Sequence, residues 1–593
     1  MDYKDELYDI VKDFLIKNYQ ISDPTVEFIP TKKDFEGDIT IVLFNIIKLL
    51  KEKDSKILGQ EIGNEIVKES KIVDDFNLVH GFLNLTISDT FYIDSLHSAI
   101  TNDSFLKIKS NDDVGTFMVE YSSPNTNKPL HLGHIRNNLL GYSISKILEA
   151  NGKKVIKTQI INDRGIHICK SIVAWKLYGE NSTPDSTGLK GDKLVGNYYV
   201  LFEQKHKEEV EELIDKGIDK EEAVNQSNIM KLAKETLKKW EKGDKEVRDI
   251  WEMMNDWVYN GFEETYNKLG VSFDKNYYES ETYLLGKEIV NNGLAKKVFY
   301  KKEDSSVWVD LTDDGLDEKL LLRSDGTSVY MTQDLGTAKQ RIEDFPEIGG
   351  MVYTVGNEQD YHFQVLFKIL KKLGYKWANN LFHLSYGMVD LPTGKMKSRE
   401  GKVIDADDLV LQLIDSVKET SQNLGKFQNE NNNITEDTYR KIALGALKYF
   451  ILKVDPKKRI LFNPEESIDL SGNTGPFIQY TYARIQSILN KIEKIETTKI
   501  SEYKLNEKEK ETIKLINRYN DIISQAKDEL SPAIICNYLY DLVKTFNSLY
   551  QNHTILNAET PDSIVIRTQI SFLTSRVISN ITDLLGIELP DKM

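Results

Sequence analysis

The segment from Phe117 to Ile161 constrains the fold most, because it reads as a strand, a loop, a helix and a second strand in direct succession. Residues 117–121 are mostly apolar, and apolar residues recur at helical spacing over 135–148 before a stop at Gly152. Residues 155–161 then read as the next strand. Such a unit belongs to a parallel sheet, and its turn lies at the carboxyl edge, where a helix start attracts anionic phosphate.

Two histidines stand at the start of the predicted helix. His131 and His134 are three residues apart and can face one ligand, and Gly133 between them lets a flat group such as adenine approach the backbone. Imidazole donors stabilise charge that develops on phosphorus during displacement. A metal site or a helix cap is the alternative for an isolated pair. The preceding Asn125 and Lys128, with no nearby cysteine or carboxylate to complete a zinc set, favour phosphate.

The string from Ser122 to Arg136, S-S-P-N-T-N-K-P-L-H-L-G-H-I-R, resembles the HIGH signature of class I aminoacyl-tRNA synthetases in its arginyl form. The stretch 394–402 is rich in lysine and arginine and resembles the KMSKS loop of this class, which closes over a triphosphate. Lys395 matches its first lysine, whereas Ser398 replaces the second. The resemblance to arginyl enzymes implies that Lys128 supplies the missing charge.

An arginine site needs carboxylates placed for forked hydrogen bonds to a guanidinium. Glu120 ends the first strand, and Asp334 follows Tyr330 by four residues, so that both can share one helix face. A buried carboxylate pair would reject lysine strongly. By resemblance, the predicted arginine-binding residues are Glu120, Ser122, Asn125, Tyr330, Asp334 and Gln359. The predicted catalytic residues are Lys128, His131, His134 and Lys395. The predicted ATP contacts are His131, Gly133, His134, Met388, Val389, Lys395 and Met396.

A chain of 593 residues should hold several domains. We expect a multidomain α/β protein with a Rossmann-like parallel-sheet catalytic domain, an N-terminal α+β domain and a C-terminal all-α helical bundle. The expected boundaries are 1–112 for the N-terminal domain, 113–404 for the catalytic domain with a helical insertion at about 180–300, 405–464 for a helical junction and 465–593 for the bundle.

Two further segments resemble the tRNA-binding parts of arginyl-tRNA synthetases. Gly37-Asp38 and residues 81–84 resemble the N-terminal domain that meets the tRNA elbow, with a generic accessory domain as the alternative. Residues 471–485 resemble the start of the anticodon-binding domain, with a bundle of core aromatics as the alternative. Because exposed aromatic side chains stack on bases, the predicted tRNA contacts are Gln479, Tyr480 and Tyr482.

Composition narrows the class of protein. Two cysteines, Cys169 and Cys536, exclude a disulfide framework and a four-cysteine zinc site. The apolar run 44–50 is too short and too interrupted to span a bilayer, and the acidic start lacks a secretory or transit pattern, so that we predict a cytoplasmic protein without a membrane partner. The net charge of −16 weighs against RNA binding, although phosphate contacts depend on local lysine and arginine.

The resemblance predicts an arginine–tRNA ligase that forms arginyl-adenylate from L-arginine and ATP and transfers arginine to the 3′-terminal adenosine of tRNA(Arg). It implies attack by the 2′-OH, tRNA bound before activation, Mg²⁺ with ATP, no structural zinc and a monomer. Two alternatives remain: a class I synthetase for another amino acid, such as cysteine or glutamate, and a non-catalytic tRNA-binding relative. Two cysteines do not readily supply a cysteinyl zinc site, and the intact His131, His134 and Lys395 argue against loss of catalysis.

Overall fold

The computed structural model describes residues 3–21, 23–32, 34–50, 54–102, 105–108, 115–283, 285–392, 404–423, 435–500 and 502–593. The chain divides into two compact units. The first comprises Met1–Leu106, Ser487–Tyr519 and Asp541–Val577, and the second comprises Lys107–Gln486, Asn520–Tyr540 and Ile578–Met593. The bundle predicted for residues 465–593 is therefore shared between two units. Within the described part of the chain, no helix combines the length and apolarity needed to cross a membrane.

The N-terminal part of the first unit is α+β, as predicted. Its elements are α1 (Tyr3–Tyr19), β1 (Glu27–Pro30), β2 (Ile39–Val42), α2 (Phe44–Leu49), α3 (Ser55–Glu69), β3 (Val73–Val79), β4 (Phe82–Ile87) and α4 (Asp89–Thr101). The strands form an antiparallel sheet in the order β1-β2-β4-β3. The side chains of Asp54 and Ser88 cap α3 and α4 by accepting backbone N–H groups of the first turn.

The Gly37-Asp38 element serves the packing of this first unit. Gly37 has a φ of +130°, which a side chain would oppose. The Asp38 carboxylate accepts the Ile87 N–H at 2.6 Å and pairs with Lys510 at 3.2 Å and with Lys514. Both lysines lie on the helix Glu507–Asn517, so Asp38 joins the N-terminal sheet to a C-terminal helix of the same unit.

The second unit is built on a five-stranded sheet in which every pairing is parallel. Its strands are β5 (Thr116–Glu120), β6 (Lys154–Ile161), β7 (Lys275–Tyr278), β11 (Ile348–Gly356) and β12 (Leu381–Tyr386), in the order β12-β11-β5-β6-β7. Helix α5 (Leu132–Ala150) connects β5 to β6. The predicted strand–loop–helix–strand unit and Rossmann-like sheet are confirmed.

The helical excursion between β6 and β7 is shorter than expected. It comprises α6 (Ile166–Tyr178), α7 (Pro184–Thr187), α8 (Gly191–Asp215), α9 (Lys220–Gln226), α10 (Asn228–Glu241) and α11 (Lys245–Leu269). It ends where Gly270 takes a left-handed φ of +64°. The predicted end near residue 300 was wrong, because β7 already pairs with β6.

A second, smaller excursion separates β7 from β11. It contains α12 (Glu279–Thr282), α13 (Gly286–Ala295) and a three-stranded antiparallel sheet of β8 (Phe299–Lys301), β9 (Val307–Val309) and β10 (Lys319–Leu322). Helix α14 (Tyr330–Asp344) then leads into β11, and α15 (Asp360–Lys372) connects β11 to β12. These elements share one apolar core, which includes Leu321, Leu335, Met351 and Ile369.

The rest of the chain is mainly helical, as the sequence predicted. Strands β13 (Val389–Asp390) and β14 (Ile460–Leu461) pair in parallel. The helices are α16 (Ala406–Asn423), α17 (Glu436–Leu452), α18 (Pro464–Ser467), α19 (Gly475–Leu489), α20 (Glu507–Asn517), α21 (Tyr519–Asp528), α22 (Pro532–Asn552) and α23 (Pro561–Leu584).

Candidate active site

The topology of the parallel sheet selects one edge for ligand binding. From β5 the chain continues to β6 on one side, whereas β11 and β12 occupy the other side. The loops after β5 and β11 therefore diverge and leave a crevice at the carboxyl ends of these strands, which is the usual ligand site of open α/β sheets. The first loop leads to His131, and the second carries Gln359.

The loop after β5 is held by hydrogen bonds to the end of β6. The N–H of Thr126 donates to Asn162 O at 3.1 Å, and the N–H of Asn162 donates to Pro124 O at 2.9 Å. Ser122 and Ser123 both have a left-handed φ, of 72° and 46°. A non-glycine residue in this region stores strain of about 1 kcal/mol or more, which persists only when neighbouring contacts impose it.

The two histidines use the same nitrogen to cap α5. The Gly133 N–H donates to His131 Nδ1 at 3.1 Å, and the His131 N–H donates to His134 Nδ1 at 3.1 Å. Since both Nδ1 atoms accept, each neutral ring carries its proton on Nε2. The helix-cap reading and the phosphate reading of the pair are thus compatible.

Electrostatics keep both imidazoles neutral. Burial, helped by the positive charge of Lys128, lowers the pKa of His131 to about 3. Burial, with His131 and Lys128 as smaller contributions, places the pKa of His134 well below 6.5. Burial also lowers the pKa of Lys128. The turn therefore presents two neutral N–H donors beside a lysine.

A cavity of about 320 Å³ adjoins the turn. Lys128 and His131 line it together with Lys193 and Tyr199 from α8 and with Asp405. Its lining mixes apolar and polar groups, and Lys193 is already paired with Asp405, so that Lys128 is the lysine placed to meet an anionic ligand.

The chain returns to this turn just after the second signature. Lys395, Met396 and Ser398 lie outside the described residues. The N–H of Ala406 donates to Leu130 O at 2.8 Å, and Asp405 forms an isolated antiparallel bridge with His131. Ion pairs hold the same segment against the helical excursion: Lys193 contacts Asp405, and Lys190 contacts Asp407 at 2.6 Å.

The residues before the second signature differ in their exposure. Met388 is 54% exposed, whereas the side chain of Val389 is buried in the small β13–β14 pairing. Arg136, at the end of the first signature, is fully buried and donates to Gly387 O at 2.6 Å and to Met388 O at 3.3 Å. Arg136 thus connects the first signature to the strand that precedes the second.

The structure brings the predicted carboxylates to one region. Glu120 is buried at the end of β5, and its carboxylate contacts the guanidinium of Arg341. Asp334 lies on the second turn of α14 and contacts His362 Nε2 through Oδ2 at 2.6 Å. The pKa of Tyr353 is raised to about 12: burial is the largest cause, the charges of Glu120 and Asp334 also raise it, and Arg341 lowers it. Both carboxylates therefore act on one tyrosine.

The other predicted arginine-binding residues divide into exposed and buried. Tyr330 is 79% exposed, and Asn125 and Gln359 are exposed as well. Ser122 is only 4% exposed, and its hydroxyl bonds to Tyr266 OH at 2.7 Å. The arginine contact predicted for Ser122 stays a prediction; in this conformation its hydroxyl is bonded to a protein partner.

One predicted tRNA contact is also buried. Gln479 is fully buried, and its amide donates to Lys441 O at 3.0 Å and to Glu588 O at 2.8 Å. In this conformation the amide of Gln479 therefore satisfies backbone carbonyls, and its tRNA contact stays a prediction. Tyr480 and Tyr482 are partly exposed and stay predictions.

Sequence reasoning did not single out Arg341 or His362. Arg341 follows Asp334 by seven residues, which is a return to the same helix face. That spacing was the available signal, but a lone arginine on a helix is more often a solvated side chain.

Comparison with known proteins agrees with this geometry. The chain matches the family described as tRNA synthetases class I (R), catalytic domain, over residues 95–463, and the DALR anticodon binding domain over residues 478–593. The arginine–tRNA ligase of Flavobacterium psychrophilum is 54% identical over all of both chains. That of Parabacteroides distasonis is 53% identical over 96% of each.

Solved structures agree on the fold. Thermus thermophilus arginyl-tRNA synthetase covers 99% of each chain with a TM-score of 0.79 at 22% identity. Arginyl-tRNA synthetase from Plasmodium falciparum also covers 99% of each chain, with a TM-score of 0.76 at 19% identity. One family model covers most of the second unit, and relatives more than half identical extend from end to end; this chain belongs to the arginyl-tRNA synthetases, the arginine–tRNA ligases of class I.

Proposed function

We propose that this chain activates L-arginine with ATP and transfers it to the 3′-terminal adenosine of tRNA(Arg). The observation that supports this most is the pair of neutral imidazoles capping α5 beside Lys128, at the edge of the sheet that also carries Glu120 and Asp334. We infer that the imidazoles donate to phosphate and that the two carboxylates receive the guanidinium in the crevice at this edge.

In the first step, the carboxylate of arginine attacks the α-phosphorus of ATP, and pyrophosphate leaves with the electrons of the broken P–O bond. Mg²⁺ bound with ATP would neutralise part of the phosphate charge. The Nε2–H groups of His131 and His134 donate to phosphate oxygens, and Lys128 adds the positive charge that Ser398 does not supply. Lys395 acts from the second signature.

Substrate choice rests on Asp334. Its Oδ2 is fixed by His362, while its Oδ1 has no hydrogen-bond partner among the described residues and is available to a guanidinium. Tyr330 and Gln359 are exposed, and we infer that they contact the substrate side chain while Asn125 holds the amino-acid backbone.

In the second step, the 2′-OH of the terminal adenosine attacks the activated carbonyl and AMP leaves. We infer that the N-terminal sheet meets the tRNA elbow and that the DALR-like segment reads the anticodon. We also infer a cytoplasmic monomer that needs tRNA for activation.

An ATP–pyrophosphate exchange assay with arginine, lysine, glutamate or cysteine tests the proposal, with and without tRNA(Arg). Exchange that requires both arginine and tRNA supports it. Exchange with another amino acid, or none with any, contradicts it.

Asp334→Asn tests the pocket. We expect the KM for arginine to rise at least tenfold while the KM for ATP stays within about twofold, because a charged acceptor becomes neutral. The matched control is Asp360→Asn, since Asp360 also contacts a histidine, His383, at 3.2 Å. Equal effects of the two variants would contradict the role of Asp334.

A further inference from the structure

The contact between Glu120 and Arg341 is a buried ion pair in the predicted arginine pocket. The side chains of Arg341 and Glu120 are 2% and 9% exposed. Burial alone would lower the pKa of Arg341, but the charge and hydrogen bond of Glu120, together with Tyr353 and Tyr277, outweigh burial and raise it. The charges of Arg341 and Glu120 thus neutralise each other in a part of the protein that water does not reach.

Each Glu120 oxygen has its own partner. Arg341 Nη2 contacts Oε2, and the Ser123 hydroxyl donates to Oε1 at 3.3 Å. Ser123 is one of the two serines held with a left-handed φ, so the strained turn after β5 contributes to the placement of the carboxylate. Because this hydrogen bond is long, Oε1 is the less firmly held of the two oxygens.

The guanidinium of Arg341 is itself held between aromatic rings. Its central carbon lies 5.4 Å from the ring centroids of both Tyr277 and Tyr353. The hydroxyl of Tyr277 donates to Asp344 Oδ2 at 2.8 Å, which fixes that ring. Arg341 Nε has no hydrogen-bond partner among the described residues. The guanidinium is therefore held in place by Glu120 and by the two tyrosine rings.

We propose that Arg341 is a positioning residue for substrate arginine: it holds Glu120 in one orientation at the end of β5 and balances its charge, so that Asp334 provides the net negative charge for the guanidinium. The inference rests on the proposed role of Glu120 in arginine binding. The inference gives different roles to two carboxylates that the sequence analysis treated alike. Glu120 supplies a fixed hydrogen-bond acceptor, and Asp334 supplies the electrostatic attraction for the guanidinium.

The test is a double-variant cycle on the full chain. Arg341→Met, Glu120→Gln, the double variant and Arg341→Lys are compared in aminoacylation of tRNA(Arg), with the KM for arginine and for ATP measured separately. We expect Arg341→Met to raise the KM for arginine at least tenfold, with the KM for ATP within twofold. The double variant should be no worse than Glu120→Gln alone, because both act through one carboxylate. Arg341→Lys should fall between wild type and Arg341→Met.

The control is the second buried arginine–glutamate pair, in the first unit. Arg567 Nε contacts Glu509 Oε1 at 2.7 Å, with side chains 4% and 0% exposed. Arg567→Met should lower the midpoint of thermal unfolding and leave the KM for arginine unchanged. If Arg341→Met behaves in the same way, its role is structural and the inference fails.

Other outcomes separate the two proposals. If Glu120→Gln raises the KM for arginine but Arg341→Met does not, only the inference about Arg341 fails. If Glu120→Gln also has no effect, the proposed role of Glu120 fails with it. Should Arg341→Met not fold, Arg341→Lys and the double variant decide, since neither leaves an unpaired buried charge. A wild-type KM for arginine in Arg341→Lys, or a KM in the double variant well above that of Glu120→Gln, would then overturn the inference.

Discussion

Arg136 connects three segments of the second unit through a single buried side chain. Besides Gly387 O at 2.6 Å, its guanidinium donates to Pro456 O at 2.9 Å and to Lys458 O at 2.8 Å. Burial lowers the pKa of Arg136 to about 10, so the side chain remains charged at neutral pH. Because the histidine pair caps α5 and residue 388 precedes the second signature, Arg136 holds the start of α5 and residues 387–388 together.

The cost of Arg136→Met follows from these bonds. A hydrogen bond to a charged group contributes about 1.5–3 kcal/mol, so three short bonds represent roughly 4–9 kcal/mol. The buried charge that disappears offsets part of this loss, and we expect a net destabilisation of about 4 kcal/mol. For a large domain this lowers the midpoint of thermal unfolding by roughly 8 °C.

The assay is thermal unfolding together with the KM for ATP. Arg136→Met should lower the midpoint and raise the KM for ATP several-fold, because Met388 loses its connection to α5. The control is Arg459→Met: Arg459 pairs with Asp390 at the surface, and its loss should shift the midpoint by no more than about 1 °C. A midpoint and a KM for ATP equal to those of the control would refute the connecting role of Arg136.

Three further predictions address the turn and its support. Lys128→Ala should slow pyrophosphate exchange about a hundredfold with little change in the KM for arginine; a near-normal rate would contradict the compensating role of Lys128. The pKa of His131 is about 3 in the folded chain, against an ordinary value of 6.5. Between pH 3 and pH 6.5 the unfolded chain therefore binds a proton at His131 that the folded chain does not bind, so the free energy of unfolding falls as the pH falls below 6.5. From pH 7 to pH 5 this amounts to about 2 kcal/mol, and denaturant unfolding of His131→Gln should lack that part of the acid sensitivity. Gly141→Ala would place Cβ 2.3 Å from Tyr121 Cβ and should destabilise by about 1–3 kcal/mol in denaturant unfolding, whereas Gly472→Ala, whose Cβ meets nothing closer than 3.6 Å, should not.

The turn around His131 could be predicted because its signals are local. The apolar strand, the histidine pair and the helical spacing after it lie within a few turns of chain, and the resemblance rests on the same residues. Which edge of the sheet carries the ligand site follows from the parallel connection between β5 and β6 alone.

The buried partners could not be predicted, because they come from distant parts of the chain. Glu120 meets Arg341 only when α14 packs near the end of β5, and the amide of Gln479 is used by carbonyls from two other segments. The end of the helical insertion, expected near residue 300, was predicted incorrectly for a related reason. The short strand β7, Lys275–Tyr278, has little hydrophobic periodicity, and its pairing with β6 decides its structure.

The hydrogen bonds of the histidine pair have a consequence for the lifetime of the activated intermediate. The Nδ1 lone pairs of His131 and His134 are committed to backbone N–H groups, and each Nε2 already carries a hydrogen. Neither ring can take a proton from water, so neither can act as a general base for hydrolysis. On the proposed mechanism, the two rings would therefore donate to the phosphate of the mixed anhydride without activating water against it.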